Sequence, residues 1–315
     1  MRIIALAALF ALAGAAHAAE TPGYPTRPIR LLVGFTAGGS ADASARVIAG
    51  RMGQALGTTI VIENRGGAAG AVAGQIAARA APDGYTLFWS SAGALTVSQI
   101  LEKNLGYDAS AFAPIGRAFT FSNALVARTD FAASTVSQLV ALARAKPGAI
   151  NFGSQGVGSA GHLSGALLQN MTGIVLTHVP YKGGNDILPA LLGGELSLAF
   201  ASSTTAKGMR GRVKVLAVTS AGRDTALPDV PSMSEAGVKG YDAAFWFGLL
   251  APAKTPQPIV MRLNGLLRET LADAELTQPL LAQGLIAAPS TPPELAEQIR
   301  GDYAKWKRVI GGGSR

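Results

Sequence analysis

The chain has 315 residues, of which 27 are basic and 19 acidic, and its formal net charge is +8. It contains no cysteine, which excludes a disulfide framework, a thiol nucleophile and a lipidated N-terminal cysteine. The basic residues form no dense block, so the charge indicates a solvated surface that attracts anions modestly and gives no reason to expect nucleic-acid binding.

The first 18 residues have the pattern of an export signal. Arg2 precedes an apolar stretch at residues 3–16, and Ala16-His17-Ala18 has small residues at the spacing of a cleavage site. The pattern predicts a soluble periplasmic protein that is cleaved after Ala18. No later apolar run reaches the roughly 18 residues that a membrane-spanning helix needs. The remaining chain is longer than one hydrophobic core usually supports, so two domains are expected.

The mature chain begins with alternating strand and helix patterns. Residues 29–35 and 58–62 are short, apolar and β-branched, and residues 41–56 between them have apolar side chains at helical spacing. A glycine-rich turn at residues 65–70 leads into a second helix, and residues 85–90 return as a strand. This alternation predicts a mainly parallel sheet covered by helices.

A second series of the same kind begins near Asn123. It predicts strands at 123–127, 150–152, 175–179, 196–201 and 213–219, with helices at 136–145, 160–171 and 186–192. After an apolar run at residues 245–250, amphipathic helices at 258–273 and 293–309 return to the first unit. We therefore expect a discontinuous lobe 1 and a continuous lobe 2, made respectively of residues 19–121 with 247–315 and of residues 122–246.

Three glycine-rich stretches lie where a predicted strand passes into a predicted helix. They are residues 34–40, 153–159 and 181–184. A helix N-terminus preceded by glycines binds anions, because its unpaired NH groups and the positive end of the helix dipole point at the ligand. The stretches carry almost no catalytic side chains. They predict that the protein holds an anion and does not transform it.

Enzymatic alternatives find less support. Residues 156–161 match the dinucleotide fingerprint G-x-G-x-x-G, but the following strand leads to Pro180 and Tyr181 without the acidic residue that would bind the ribose. Ser159 and His162 are the nearest candidates for a nucleophile and its base, yet no G-x-S-x-G elbow is present and Ser159 is better explained as a helix cap. Two mature histidines sixteen residues apart give no metal-ligand spacing. No metal or cofactor is expected.

Short strings along the mature chain stand in the order found in one known family. They are YPTRPIR at 24–30, ENRGG at 63–67, APDGYTL at 81–87, HVPYKG at 178–183, ALPDVP at 226–231 and GLLAP at 248–252. Each string is weakly specific alone, but the ordered series resembles the Bug (TctC-like) family of periplasmic solute receptors.

The resemblance implies an α/β fold of the type II-like periplasmic binding protein class, with two lobes, each a mainly parallel sheet flanked by helices. Such a receptor closes on a small aliphatic or aromatic carboxylate in the interlobe cleft. It works as a monomer and delivers the ligand to a tripartite tricarboxylate transporter with one large and one small membrane subunit. Closure would pivot near residues 119–122 and 244–247. A sensing module that passes occupancy to a signalling partner remains the alternative.

The resemblance also implies which residues bind the ligand. They are Phe35, Ala37, Gly38, Gly39, Ser40, Ser90, Ser91, Ala92, Ser154, Gln155, Gly158, Ser159, His162, Tyr181, Lys182, Gly183, Ala201, Ser202 and Phe245. Two positions depart from the family pattern: Ala201-Ser202 stands where an acid followed by Asn is common, and Thr36-Ala37 stands where Ala-Pro is usual. With Phe35 and either Phe245 or Trp246 near the cleft, an apolar wall would suit an aliphatic or aromatic carboxylate.

Overall fold

The computed structural model describes residues 23–102, 104–181 and 184–311. The predicted signal peptide and its cleavage site lie outside these residues. Two β-sheets covered by helices make up the described chain, which confirms the two-lobed α/β class. None of the helices described is both long and apolar enough to cross a membrane.

The predicted strands and helices appear in the predicted order, together with further elements that the sequence did not predict. The eleven strands described are β1 (Ile29–Val33), β2 (Ile60–Asn64), β3 (Thr86–Ser91), β4 (Phe112–Phe121), β5 (Asn123–Arg128), β6 (Asn151–Ser154), β7 (Thr177–Pro180), β8 (Leu198–Ser202), β9 (Val213–Val218), β10 (Phe245–Pro252) and β11 (Ile286–Ala287). The ten α-helices described are α1 (Ser40–Leu56), α2 (Ala71–Ala78), α3 (Ser98–Leu101), α4 (Val136–Ala145), α5 (Ala160–Thr172), α6 (Gly184–Leu192), α7 (Ser203–Gly208), α8 (Gln257–Ala272), α9 (Ala274–Leu281) and α10 (Pro292–Gly311).

Both sheets are mixed, which corrects the expectation of mainly parallel sheets. The first has the order β11-β4-β10-β3-β1-β2, in which β1 is parallel to β2 and β3 while β10 is antiparallel to β3 and β4. The second has the order β7-β6-β8-β5-β9, in which β6 is parallel to both neighbours and β5 antiparallel to both. Strands β5 and β10 each enter from the other lobe. They are not linked to their neighbours by a βαβ crossover, the connection that makes strands parallel.

Helix α1 shows how the pattern produces the layers. Its apolar residues Ala45, Ile48, Met52 and Leu56 are buried against the first sheet. The helix ends at Gly57, which has the left-handed φ of 65° that glycine adopts without strain. The helix follows β1 in the chain, so its N-terminus lies near the carboxyl end of that strand.

Three segments join the lobes. Strand β4 passes directly into β5 through Ser122, and the chain returns where Phe245 begins β10. Helix α10 forms the third contact, because its first half packs on the first sheet and Trp306 near its end stacks on Phe245, with ring centroids 5.9 Å apart. The exact lobe boundaries and the hinge positions stay predictions.

Candidate ligand-binding cleft

A cleft of about 1460 Å³ lies between the two sheets and is lined by residues of both lobes. This volume exceeds the roughly 300–1,000 Å³ of most small-molecule pockets, so a small ligand would share the cleft with water. Most of the residues predicted to bind ligand line it. They are Phe35, Ala37, Gly38, Gly39, Ser40, Ser91, Ala92, Gln155, Gly158, Ser159, Tyr181, Ala201, Ser202 and Phe245.

The N-terminus of α1 forms part of the first wall. Gly39 precedes the helix without a side-chain cap, and the first intrahelical hydrogen bond runs from the Ala43 NH to the Gly39 carbonyl at 2.9 Å. The NH groups of Ser40 and Ala41 therefore have no acceptor within the helix, and both residues line the cleft. An uncapped helix start facing a cleft is suited to an anionic oxygen.

Asp42 makes the neighbouring loop rigid. Its buried carboxylate accepts hydrogen bonds from the Gly38 NH at 3.0 Å, from Arg46 Nε at 2.9 Å and from Asn64 Nδ2 at 3.0 Å. Burial raises the pKa of Asp42, but these bonds from Arg46, Gly38 and Asn64 outweigh that effect and hold the pKa below its usual value. Because Asp42 uses the Gly38 NH, that group is not free to bind a ligand.

The second wall is the glycine-rich loop that leads into α5. Ser159 caps this helix, as predicted, with its Oγ accepting the His162 NH at 3.3 Å. Gly158 has a φ of +81°, in the left-handed region, and its NH donates to Nδ1 of His162 at 3.0 Å. The His162 ring thus holds the loop from behind.

Two stacked histidines lie beneath this loop. The rings of His162 and His178 are 4.4 Å apart, and Nε2 of His178 is 2.6 Å from Ser154 Oγ, which also bonds to Gly156 at both its NH and its carbonyl. Burial lowers the pKa of His162, and burial together with the nearby His162 lowers the pKa of His178 to about 4. Ser154 is fully buried, so the Ser154–His178 pair stabilises the loop and is closed to an incoming substrate.

Three predicted residues lie behind the cleft and do not line it. Ser154 and His162 support the second wall, as described above. Ser90 is also buried, because neighbouring residues of β3 point to opposite faces and Ser91 takes the cleft side. This geometry does not support direct ligand contact by the three. Lys182 and Gly183 lie outside the described residues.

Aromatic rings form the floor of the cleft. Phe247 stacks on Phe121 at 4.6 Å between ring centroids and meets Phe35 edge-on at 5.8 Å, while Phe245 lies 5.9 Å from Phe121. Phe245 was predicted, whereas Phe121 and Phe247 were missed, although the two-residue period of β10 places Phe245 and Phe247 on one face. Trp246 points the other way, and its Nε1 donates to Asp302 at 2.7 Å.

A loop between β2 and α2 is a further part of the first wall that sequence reasoning did not assign to ligand binding. Ala68 and Ala69 in this loop line the cleft with φ values of 45° and 53°, a conformation that costs an alanine free energy and that is found at binding sites. The glycine-rich turn at 65–70 was the available signal. Other cleft residues missed include Gly93, Asn123, Ile187, Leu188, Leu192, Thr204, Thr205, Met209 and Gln283.

The cleft carries little formal charge. Among the described residues that line it, Glu102 and Arg212 are the charged ones, and both side chains are exposed. The described chain also contains no group of three or more His, Asp or Glu side chains placed to hold a metal ion. The other polar groups described in the lining are neutral: backbone NH groups, hydroxyls and side-chain amides.

Comparison with known proteins agrees with this geometry. The family model "Tripartite tricarboxylate transporter family receptor" (TctC) matches residues 44–312. BugT of Bordetella pertussis is 32% identical over 314 residues, which cover 98% of this chain and 96% of that protein.

Two solved structures share the fold closely. Rpa4515 of R. palustris with adipate has a TM-score of 0.84 at 33% identity and covers 91% of this chain and 97% of its own. MatC (Rpa3494) from Rhodopseudomonas palustris with bound malate has a TM-score of 0.82 at 30% identity. The match covers 91% of this chain and 100% of that chain. The resemblance seen in the ordered strings is confirmed. This chain belongs to the TctC family of tripartite tricarboxylate transporter receptors.

Proposed function

We propose that this protein captures a small carboxylate in its interlobe cleft, in the periplasm, and delivers it to a tripartite tricarboxylate transporter. The family match and the two relatives that carry adipate and malate support a carboxylate ligand. The proposal includes a signal peptide cleaved after Ala18, a monomeric receptor, and a transporter with one large and one small membrane subunit.

The observation that carries the proposal is the uncapped start of α1 facing the α5 loop across the cleft. Ser40 and Ala41 offer free NH groups on one side, while Gln155 and Ser159 line the other. Hydrogen bonds from such groups to a carboxylate are charge-assisted and strong. Since the described lining contains no buried cation, these neutral donors and ordered water provide the binding free energy.

The rest of the cleft suits an apolar ligand body. Besides the aromatic floor, Ile187, Leu188 and Leu192 of α6 line the cleft with apolar side chains. Ala201 leaves this region without the acid that relatives often carry after the equivalent phenylalanine. An aliphatic or aromatic chain between the two surfaces would be removed from water at about 25 cal/mol per Å² of apolar area.

A thermal-shift screen tests the proposal. The refolded, ligand-stripped mature protein is heated with aliphatic and aromatic mono- and dicarboxylates, with NAD and inorganic phosphate as controls. A ligand present at about 100 times its Kd raises the free energy of unfolding by about 2.7 kcal/mol, enough to move the midpoint by several degrees. The proposal would be contradicted if NAD stabilised the protein, or if none of the carboxylates in the panel did.

Delivery to the transporter needs a second measurement. Uptake of the stabilising carboxylate is compared in cells with and without the receptor, with the two membrane subunits present in both. Uptake that requires the receptor supports delivery. Binding in the screen without any effect on uptake would favour a sensing role for the same cleft.

A further inference from the structure

One buried threonine joins the two chain segments that cross between the lobes. The first connection (residues 121–123) leads from β4 to β5, and the second connection (residues 243–245) leads into β10. Thr219, which directly follows β9, is fully buried; its Oγ1 accepts the Asn123 NH at 2.8 Å and donates to the Ala243 carbonyl at 3.1 Å. Its backbone repeats both links, because its NH donates to the Asn123 carbonyl at 2.8 Å and its carbonyl accepts the Ala243 NH at 2.7 Å. Four hydrogen bonds through one residue thus tie the first connection to the second.

The two connections are also joined on the side of the first sheet. Phe121 of the first connection and Phe245 of the second are partners in the register of β4 and β10, and their ring centroids are 5.9 Å apart. The bonds to Thr219 join the connections again on the side of the second sheet. Between these two joined levels lie Ser122 and Ala244, one residue in each connection. A rotation of one lobe against the other therefore has to be absorbed largely by these two residues.

Asp224 provides a further attachment for the first connection. Its buried carboxylate accepts hydrogen bonds from Ser122 Oγ and, at 2.7 Å, from Ser203 Oγ at the start of α7. The other oxygen of the carboxylate accepts the Ala226 NH at 2.8 Å. The side chain of Ser122 is therefore fixed to segments that belong to the side of the second sheet.

The third link between the lobes, α10, is attached to the second connection. Lys305 Nζ donates to the carbonyl of Asp242, the residue before this connection, at 2.7 Å. The ring of Trp306 stacks on Phe245, the last residue of the connection, with centroids 5.9 Å apart. The bonds of Thr219 therefore unite the first connection with a second connection that already includes the end of α10.

We propose that Thr219 is a positioning residue for ligand binding, which makes the two connections bend together at Ser122 and Ala244 when the lobes close on the carboxylate. This assignment rests on the proposed function, because the motion that it guides is closure on a ligand. Connections that bend independently would let the lobes twist as well as close. The ligand would then have to suppress these extra motions, and the entropy lost in doing so would weaken binding.

Matched variants of Thr219 test the coupling. Thr219→Val keeps the branched shape but removes the two hydroxyl bonds, whereas Thr219→Ser retains the hydroxyl. Thr270→Val controls for the loss of a buried hydrogen bond elsewhere, because the Thr270 hydroxyl donates to the Leu266 carbonyl at 2.8 Å within α8. Since the chain has no cysteine, Arg51→Cys and Ala141→Cys, at exposed positions of α1 and α4, add one spin label to each lobe.

Electron paramagnetic resonance measures the distribution of distances between the two labels, and calorimetry measures Kd for the tightest binder among adipate, malate, hexanoate and benzoate. Without ligand, Thr219→Val is expected to broaden the distribution, while Thr219→Ser and Thr270→Val keep the width of wild type. Thr219→Val is expected to raise Kd about fivefold, and the other two variants are expected to stay within about twofold of wild type.

A loss of stability alone would not produce this pattern. If Thr219→Val unfolds at a lower temperature but keeps the distance distribution and the Kd of wild type, the assignment is overturned. Equal broadening in Thr219→Val and Thr270→Val would overturn it as well. If Thr219→Val does not fold, Ser122→Ala loosens the first connection by removing its bond to Asp224. Broadening in that variant supports the assignment, and an unchanged width overturns it.

The measurements without ligand keep this assignment separate from the proposed function. If wild type binds no carboxylate in the panel or in the wider screen, the proposed function fails. The widths of the unliganded proteins still decide whether Thr219 couples the two connections.

Discussion

His162 stabilises the cleft from behind the ligand-facing surface. The Gly158 NH donates to its Nδ1, so this nitrogen must be unprotonated for the loop to keep its shape. Burial lowers the pKa of the ring, so an unfolded chain takes up the proton first as the pH falls. The stabilisation is present above the unfolded pKa of about 6.5 and is lost as the pH falls through the lower folded value.

Acidification should therefore destabilise the protein partly through this residue. At about pH 5.5 the loss attributable to His162 reaches at most about 1.4 kcal/mol of unfolding free energy. His162→Asn keeps an acceptor near the Nδ1 position but cannot be protonated, and we expect a flatter dependence on pH. The pH dependence of the unfolding free energy is measured by denaturant unfolding at a series of pH values. His178→Gln is the matched variant. Identical pH profiles for wild type and His162→Asn would contradict the role given to Nδ1.

Single residues were predictable where their roles are local. Ser159 was expected to cap α5 and does so, because a cap depends on residues three apart in sequence. The stacking of His162 on His178 and the place of Asn123 in the cleft lining depend on which strands are neighbours. The spacing of residues in the sequence does not predict those contacts. Asn123 was therefore missed, and His162 was predicted to bind the ligand.

Helices and strands were predictable to the extent that their patterns are regular. Helix α4 was predicted over its observed range, and α1 within one residue. The ten-residue strand β4 was missed, because Pro114 and Gly116 interrupt its apolar pattern. It forms through pairing with β10, whose register shifts next to both residues. Pairing between distant segments overrides local propensity here.

Glycine permits the lobes to approach at one contact beside the cleft. A Cβ on Gly93 would lie 2.9 Å from the Gly158 carbonyl oxygen of the other lobe and 3.2 Å from Ala69 Cβ in its own. Such overpacking costs about 1–3 kcal/mol, and a hinged protein relieves the interlobe part by opening.

Gly93→Ala is therefore expected to weaken carboxylate binding about tenfold and to enlarge the radius of gyration of the liganded protein in small-angle scattering. Gly50→Ala in α1 is the control, since a Cβ there would meet nothing within 4 Å. If Gly93→Ala lowers stability but leaves affinity and size unchanged, the contact with Ala69 matters and the contact with Gly158 does not.

The net charge of the whole molecule should influence how fast an anion arrives more than how tightly it is held. The chain is basic, with a net charge of +8, yet the charged residues described in the cleft lining are the exposed Glu102 and Arg212. Charges at such positions are largely screened by salt, while NH groups at a helix start are not.

Raising the ionic strength from about 0.02 to about 0.5 M is expected to slow association while changing Kd by less than about threefold. Replacing Arg212 by Gln should also change Kd by less than about threefold. Stopped-flow fluorescence and equilibrium titration measure the two quantities. A Kd that rises tenfold or more with salt, and that loses this dependence in Arg212→Gln, would indicate that Arg212 binds the carboxylate directly.

Helix α10 also constrains the order in which the chain can fold. Trp306 and Val309, near its end, complete the hydrophobic cluster around β5 and α5, while the first core needs Phe247 and Leu263 from segments that follow the second lobe. A chain synthesised from its N-terminus therefore cannot finish the first core before β10 and α8 have emerged, or the cluster around β5 and α5 before α10 has emerged. The topology therefore delays completion of both cores until late in synthesis.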